Sequence, residues 1–290
     1  MAPVIHCVRH AQGFHNLNIA NHVMQDPLLT PQGELQCTHL RANFPYHSDI
    51  ELVVASPLRR TIYTALLTFE KPIKERGLKI VALPELQETS DVPCDVGSDL
   101  ADLRKEVEEK DLPVDLSLIP EDWNDKTQDK WAANSPSITA RAREARRWLK
   151  ERPEKEIAIV SHGGFLHYFT EDWQDSTLYQ GTGWANTEFR TYHFTDAVHD
   201  DDLLGNKHGV DNASVVETMD SRKRRGGTSN PPPPPPREMQ KEFFTQAMAG
   251  WENQILQWQL EEKEKEKAAQ IQQKQAVNIE TEEQKEVVLG

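Results

Sequence analysis

Val4-Ile5-His6-Cys7-Val8-Arg9-His10-Ala11-Gln12-Gly13-Phe14-His15-Asn16 decides the reading of this chain, because a short apolar run ends there in an Arg-His pair. A strand buried on both faces of a sheet reads as such a run, and in open α/β sheets ligands gather outside the carboxyl ends of the strands. Arg9 and His10 therefore stand where chemistry is expected. A guanidinium fork suits a tetrahedral oxyanion, and a neutral imidazole serves as nucleophile or base near neutral pH, so the pair points to phosphate handling.

Further segments follow the same pattern of strand end or helix start. Leu29-Thr30-Pro31-Gln32-Gly33 precedes a helix-like stretch, and Ser56-Pro57-Leu58-Arg59-Arg60-Thr61 follows the apolar run Leu52-Val53-Val54-Ala55. Leu86-Gln87-Glu88 comes after Ile80-Val81-Ala82-Leu83, and Ser161-His162-Gly163-Gly164 after Ile157-Ala158-Ile159-Val160. In this order, across roughly residues 1–197, the segments resemble the histidine phosphatase superfamily, the phosphoglycerate-mutase-like family.

The resemblance implies a three-layer α/β/α sandwich with a mostly parallel central sheet, and phosphoryl transfer with no metal and no cofactor. His10 would attack phosphorus and carry the group as a phosphohistidine, its other ring nitrogen donating to a fixed acceptor such as a backbone carbonyl. Arg9, Arg60, His162 and Asn16 would surround the non-bridging oxygens, and Gly163 would add an amide at a helix start. Arg60 rather than Arg59 matches the family arginine; on a helix the two diverge by about 100°, which leaves Arg59 at the rim. A carboxylic acid must protonate the bridging oxygen. Glu88 fits the family's Leu-x-Glu pattern, and Glu85 is the substitute. The commoner family spelling is Arg-His-Gly-Glu, so Ala11 and Gln12 are departures that bear on the geometry of the loop. Blander readings stand beside these: His10 as a structural histidine, Asn16 as a turn residue, His6 as a core histidine, and no role for His15, His22 or His167.

Composition excludes several classes. A formal net charge of −14 over 290 residues leaves no basic footprint for nucleic acid. Cys7, Cys37 and Cys94 show no zinc spacing and read as reduced thiols of an intracellular protein. No stretch approaches the roughly 20 apolar residues that span a bilayer. With the first strand starting beside Met1, no room is expected for a cleaved signal peptide, so the cytosol is the expected location. Ser221-Arg222-Lys223-Arg224-Arg225 is a short basic cluster of the kind that serves as a nuclear address.

Strands alternate with helical stretches through the first two thirds, as in a parallel sheet covered by helices. Residues 91–135 break the alternation with Pro93, Pro113 and Pro120 around acidic pieces. That insertion is expected to lie over the active edge as a lid, while Trp123 and Trp131 each read better as packing residues than as substrate contacts. After Phe194 the composition turns polar, and Pro231 to Pro236 form a polyproline spacer, so a catalytic domain is expected over 1–197 and a linker over 198–236. Met239, Phe243, Ala247, Trp251 and Ile255 then recur every fourth residue. They predict an amphipathic helix over 237–273 and a frayed tail over 274–290. The 237–260 face must pack on the same protein, on a protein partner or on a second copy. Its Glu- and Gln-rich far side argues against a membrane.

Three functions from different classes are compatible with these residues. The expected one is a metal-independent phosphatase acting on a small phosphorylated metabolite. A phosphoglycerate-type mutase needs cations for a substrate carboxylate after the Leu-x-Glu segment, where Thr89-Ser90-Asp91-Val92-Pro93-Cys94-Asp95 is acidic instead. A scaffold using the C-terminal helix would have no need for both arginines, both histidines and an acid.

Overall fold

The computed structural model describes residues 2–176 and 183–251. In chain order the strands are β1 (Val4–Arg9), β2 (Leu52–Ala55), β3 (Ile80–Ala82), β4 (Val114–Asp115), β5 (Glu156–Ser161), β6 (Phe189–Phe194), β7 (His199–Asp201), β8 (Lys207–Asp211) and β9 (Val215–Glu217). One sheet has the order β4-β3-β2-β5-β1-β6-β9, and β7 pairs separately with β8. β1 to β5 run parallel; β6 and β9 are antiparallel additions at one side. Ile5, Cys7, Val8, Val53, Val54 and Ile157 to Val160 are fully buried. Covered on both faces, these strands have no polar alternation in their sequences.

The helices are α1 (Pro31–Asn43), α2 (Arg59–Thr68), α3 (Glu70–Arg76), α4 (Leu100–Glu109), α5 (Ser135–Lys150), α6 (Gly163–Thr170) and α7 (Met219–Gly226). Thr30 starts α1, its Oγ1 accepting the Gly33 N–H at 3.0 Å, with Pro31 in the first turn. α5 turns Ile138, Ala142, Ala145 and Leu149 inward at helical spacing. α6 is buried on every side.

The insertion over 91–135 carries α4 and β4 and is pinned to the core by Trp123 and Trp131, both buried. A Cβ on Gly97 would stand 2.0 Å from the Trp123 ring, so only glycine lets that ring close in. The two tryptophans are packing residues.

The compact unit continues past the boundary expected at 197. The stretch expected to be a linker holds β9, which extends the sheet from β6, and α7; one compact unit runs through Phe244. The composition misleads because this edge is fastened by charge. Glu217 accepts from Ser221 Oγ at 2.7 Å and from Arg225 Nη2 at 2.8 Å. The basic cluster lies inside α7, with Arg222 buried and Arg225 paired with Glu217 and Asp175, so it is not an extended address peptide.

Residues 237–251 are helical, and the rest of the expected 237–273 helix and the 274–290 tail lie outside the described residues. Its start packs on the protein itself. Trp173 N–H donates to Gln240 Oε1 at 2.7 Å, and the Phe244 ring meets Trp173 edge-on at 4.8 Å. Among the described residues no helix is long and apolar enough to cross a membrane.

Candidate active site

Strand register assembles the site. Arg9 lies opposite Ser161 across β1 and β5, and Ala55 lies opposite Val160 across β2 and β5, so His10, His162 and Ser56 leave three adjacent strands together. Pairing continues past the strand ends: His10 N–H donates to the Ser161 carbonyl at 2.9 Å and Ser56 N–H to the Val160 carbonyl at 3.0 Å. The His10 and His162 ring centroids are 5.1 Å apart.

His10 Nδ1 donates to the Ala11 carbonyl at 2.7 Å, which puts the lone pair on Nε2. Neither departure from the family spelling disturbs the loop. Ala11 is outside the left-handed region and donates its N–H to Thr64 Oγ1 at 3.0 Å. Gln12 Oε1 accepts from Thr30 Oγ1 at 2.8 Å, and its carbonyl sits so close to α1 that a Cβ on Gly33 would be 2.2 Å away.

Arg60 is fully buried; its Nη1 donates to the Cys94 carbonyl at 2.6 Å and its Nη2 to Asp95 Oδ1 at 2.8 Å. Arg59 turns outward to Glu106 at 2.8 Å. Arg9 donates to the Trp184 carbonyl. His162 Nε2 shares a hydrogen bond with Ser56 Oγ at 2.9 Å, and Gly163 begins α6 directly after it. Burial, then the charge of Arg60, holds the pKa values of His10 and His162 well below the usual imidazole range. All three site imidazoles belong to this field: His15, buried 5.4 Å from His10, is pushed down to about 2 by burial, Arg60 and Arg9.

Glu88 caps α6. Its Oε1 accepts the Thr89 and Phe165 N–H groups, each at 2.9 Å, and its Oε2 the Gly164 N–H at 3.3 Å. A Cβ on Gly164 would stand 2.7 Å from Oε1, so that glycine makes room for the carboxyl group. Burial, then the neighbouring Asp95 carboxylate, raises the Glu88 pKa against Arg60 and Arg9. Glu85 is not an equivalent: its carboxylate pairs with Lys130, which also holds Glu144. Asn16 fixes the turn, its Oδ1 accepting the Gly13 N–H at 3.0 Å. His6 is a core histidine held by Thr191 and Glu156.

Four residues of this cluster went unread in the sequence. His15 had a signal, being on the His10 loop, whereas Asp95 and Lys126 come from the insertion and Arg141 from α5. Lys126 Nζ donates to the Glu88 carbonyl at 2.7 Å, and Arg141 Nη2 reaches the same oxygen at 3.2 Å. Among the described residues no group of three or more His, Cys, Asp or Glu is arranged to hold a metal ion.

The family model for the histidine phosphatase superfamily (branch 1) matches residues 5–200. The chain belongs to that superfamily. It is 31% identical over 169 residues to a probable phosphatase of Schizosaccharomyces pombe, covering 57% of this chain and 76% of the relative. A phosphoglycerate mutase-like protein of Arabidopsis thaliana is 32% identical over 194 residues, 56% of this chain and 72% of the relative. The solved ecdysone phosphate phosphatase of Bombix mori, in complex with tungstate, superimposes with a TM-score of 0.48 at 14% identity, over 66% of this chain and 89% of that one.

Proposed function

We propose that this protein is a phosphatase of small organic phosphomonoesters that works through a phosphohistidine at His10. One observation carries the reading. Around an imidazole whose Nε2 holds a free lone pair, four buried atoms make no hydrogen bond within the protein: Arg9 Nε, Arg60 Nε, His15 Nδ1 and His162 Nδ1. Each such buried group costs about 1–3 kcal/mol when unmet, and the oxygens of a phosphoryl group would satisfy the donors among them. The Asn16 amide nitrogen and the Gly163 N–H add further donors.

His10 Nε2 attacks phosphorus as the ester P–O bond breaks. Glu88 gives its proton to the departing oxygen, and the alcohol leaves. The Glu88 carboxylate then takes a proton from water, whose oxygen attacks phosphorus, breaking the P–N bond and releasing inorganic phosphate. The raised pKa of Glu88 and the depressed pKa of His10 suit these opposite tasks and favour an optimum on the acidic side. Hydrolysis is preferred to a mutase reaction because the segment after Glu88, from Thr89 to Asp95, has no Lys or Arg to meet the carboxylate of a phosphoacid. A scaffold role leaves the unmet donors unexplained.

The test is p-nitrophenyl phosphate turnover in chelator, with alkaline quench to trap a phosphoenzyme. Wild type should turn over and carry acid-labile phosphate. His10→Ala should lose both, with a rate loss of about 10⁴-fold or more; a folded His10→Ala protein that keeps its activity removes His10 from this role.

A further inference from the structure

Arg60 approaches the site with one edge already occupied. The residues that occupy it come from one short turn, Pro93–Asp95, held by the Asp95 N–H to the Val92 carbonyl at 2.8 Å. The Cys94 carbonyl takes Nη1 at 2.6 Å, the Asp95 carboxylate takes Nη2 at 2.8 Å, and Ser90 Oγ steadies the other carboxylate oxygen at 2.5 Å. Only 1% of the Arg60 side chain and 11% of the Asp95 side chain are exposed. Nε remains without a partner. A carboxylate here weakens the Coulombic pull of Arg60 on an anion, so charge is not what it contributes. What it contributes is direction, since a guanidinium has a fixed fork and a long stem with several rotors to immobilise.

We propose that Asp95 is a positioning residue that aims Arg60: it clamps the Nη edge of the guanidinium, so that Nε and the remaining Nη hydrogens face the phosphoryl group beside His10. The proposal rests on the phosphate-binding reading of the His10 site and deepens it. It makes the insertion a working part of that site, because the residue that sets the arginine's aim is outside the strand ends that supply the chemistry.

Two substitutions separate aim from charge. Asp95→Asn and Asp95→Ala remove the same negative charge, but only the amide keeps an acceptor for Arg60. Binding of inorganic phosphate, followed by titration calorimetry, should be about tenfold weaker in Asp95→Ala than in Asp95→Asn, as expected for one charge-assisted hydrogen bond. The KM for p-nitrophenyl phosphate should follow the same order, whereas a structural loss lowers kcat through the folded fraction and leaves phosphate affinity alone. Ser90→Ala covers the case in which Asp95→Ala fails to fold: it keeps the charge, loosens the clamp, and should weaken phosphate about threefold. Equal phosphate affinity in the two Asp95 variants, or no change in Ser90→Ala, overturns the clamp while leaving the phosphatase reading intact. A wild-type protein that binds no phosphate overturns both.

Discussion

The parallel centre of the sheet and its antiparallel edge are held together by different forces. In the centre, β2, β5 and β1 are sealed by residues such as Val53, Val54, Ile159, Val160, Cys7 and Val8, which have no exposed surface, and their shared register delivers Ser56, His162 and His10 to one place. At the edge, β6 and β9 are fastened by a cluster of charge. Glu217 holds Arg225 and lies 3.6 Å from Arg222, while Asp175 meets Arg190 and Arg225. Arg190 in turn stacks 3.9 Å over Trp184, whose carbonyl takes Arg9. Parallel strands that share a direction gather their ends, so topology alone concentrates function there. The edge supplies stability, and it reaches the site through the Trp184 carbonyl, which accepts from Arg9, and through Asn186 Nδ2, which donates to the His10 carbonyl at 2.9 Å.

The strongest way to break this contrast is Glu88→Gln. At the site end it should lower kcat by about 10²–10⁴-fold, because the amide cannot give a proton to the leaving oxygen. It should also erase the alkaline limb of the rate profile. In the proposed mechanism the protonated acid is the active form, so the rate should fall as pH rises through the raised Glu88 pKa, with His10 unprotonated well into the acid range. An alkaline limb that survives the substitution assigns the proton to another group.

At the edge the expected loss is in stability and not in chemistry. Glu217→Ala leaves Arg222 and Arg225 without their shared carboxylate, which should cost about 3 kcal/mol and lower the thermal midpoint by about 6–12 °C. The folded fraction should keep its kcat. A variant with normal stability but a changed KM would mean that the edge acts on the site more directly than through Trp184 and Asn186.

Legibility in the sequence followed the same division. The central strands and the residues at their ends could be read because burial on both faces leaves apolar runs, and because chemistry follows them at once. His10 and His162 stand at such strand ends, whereas the roles expected of Arg60 and Glu88, and the tautomer of His10, came from the family resemblance. β9 and α7 were hidden, since a three-residue edge strand and a helix of basic residues have no apolar periodicity. Asp95, Lys126 and Arg141 were hidden for another reason: each acts through a contact made only after folding, between segments with no fixed spacing. The acidic run after Glu88 was read as a repulsive surface. In the structure Asp95 faces inward to Arg60, and Asp91 is the exposed member.

A smaller effect sharpens the contrast further, because gathering imidazoles in a dry site makes that end sensitive to acid. His15 is buried and neutral, with its pKa pushed down to about 2, whereas the unfolded chain protonates it at the ordinary imidazole value of 6.5. The unfolded state therefore binds more protons between those values. The stabilisation is fully present above about pH 6.5 and falls by about 1.4 kcal/mol per pH unit below it, so about 2 kcal/mol is lost by pH 5. His15→Phe keeps an aromatic ring beside His10 and removes the proton. Thermal midpoints followed from pH 7 to pH 5 should fall less steeply in this variant than in the wild type, by the equivalent of one proton. Parallel slopes would mean that His15 charges in the folded protein. The imidazole next to His10 would then be a cation at acid pH, and the site would be wetter than its burial implies.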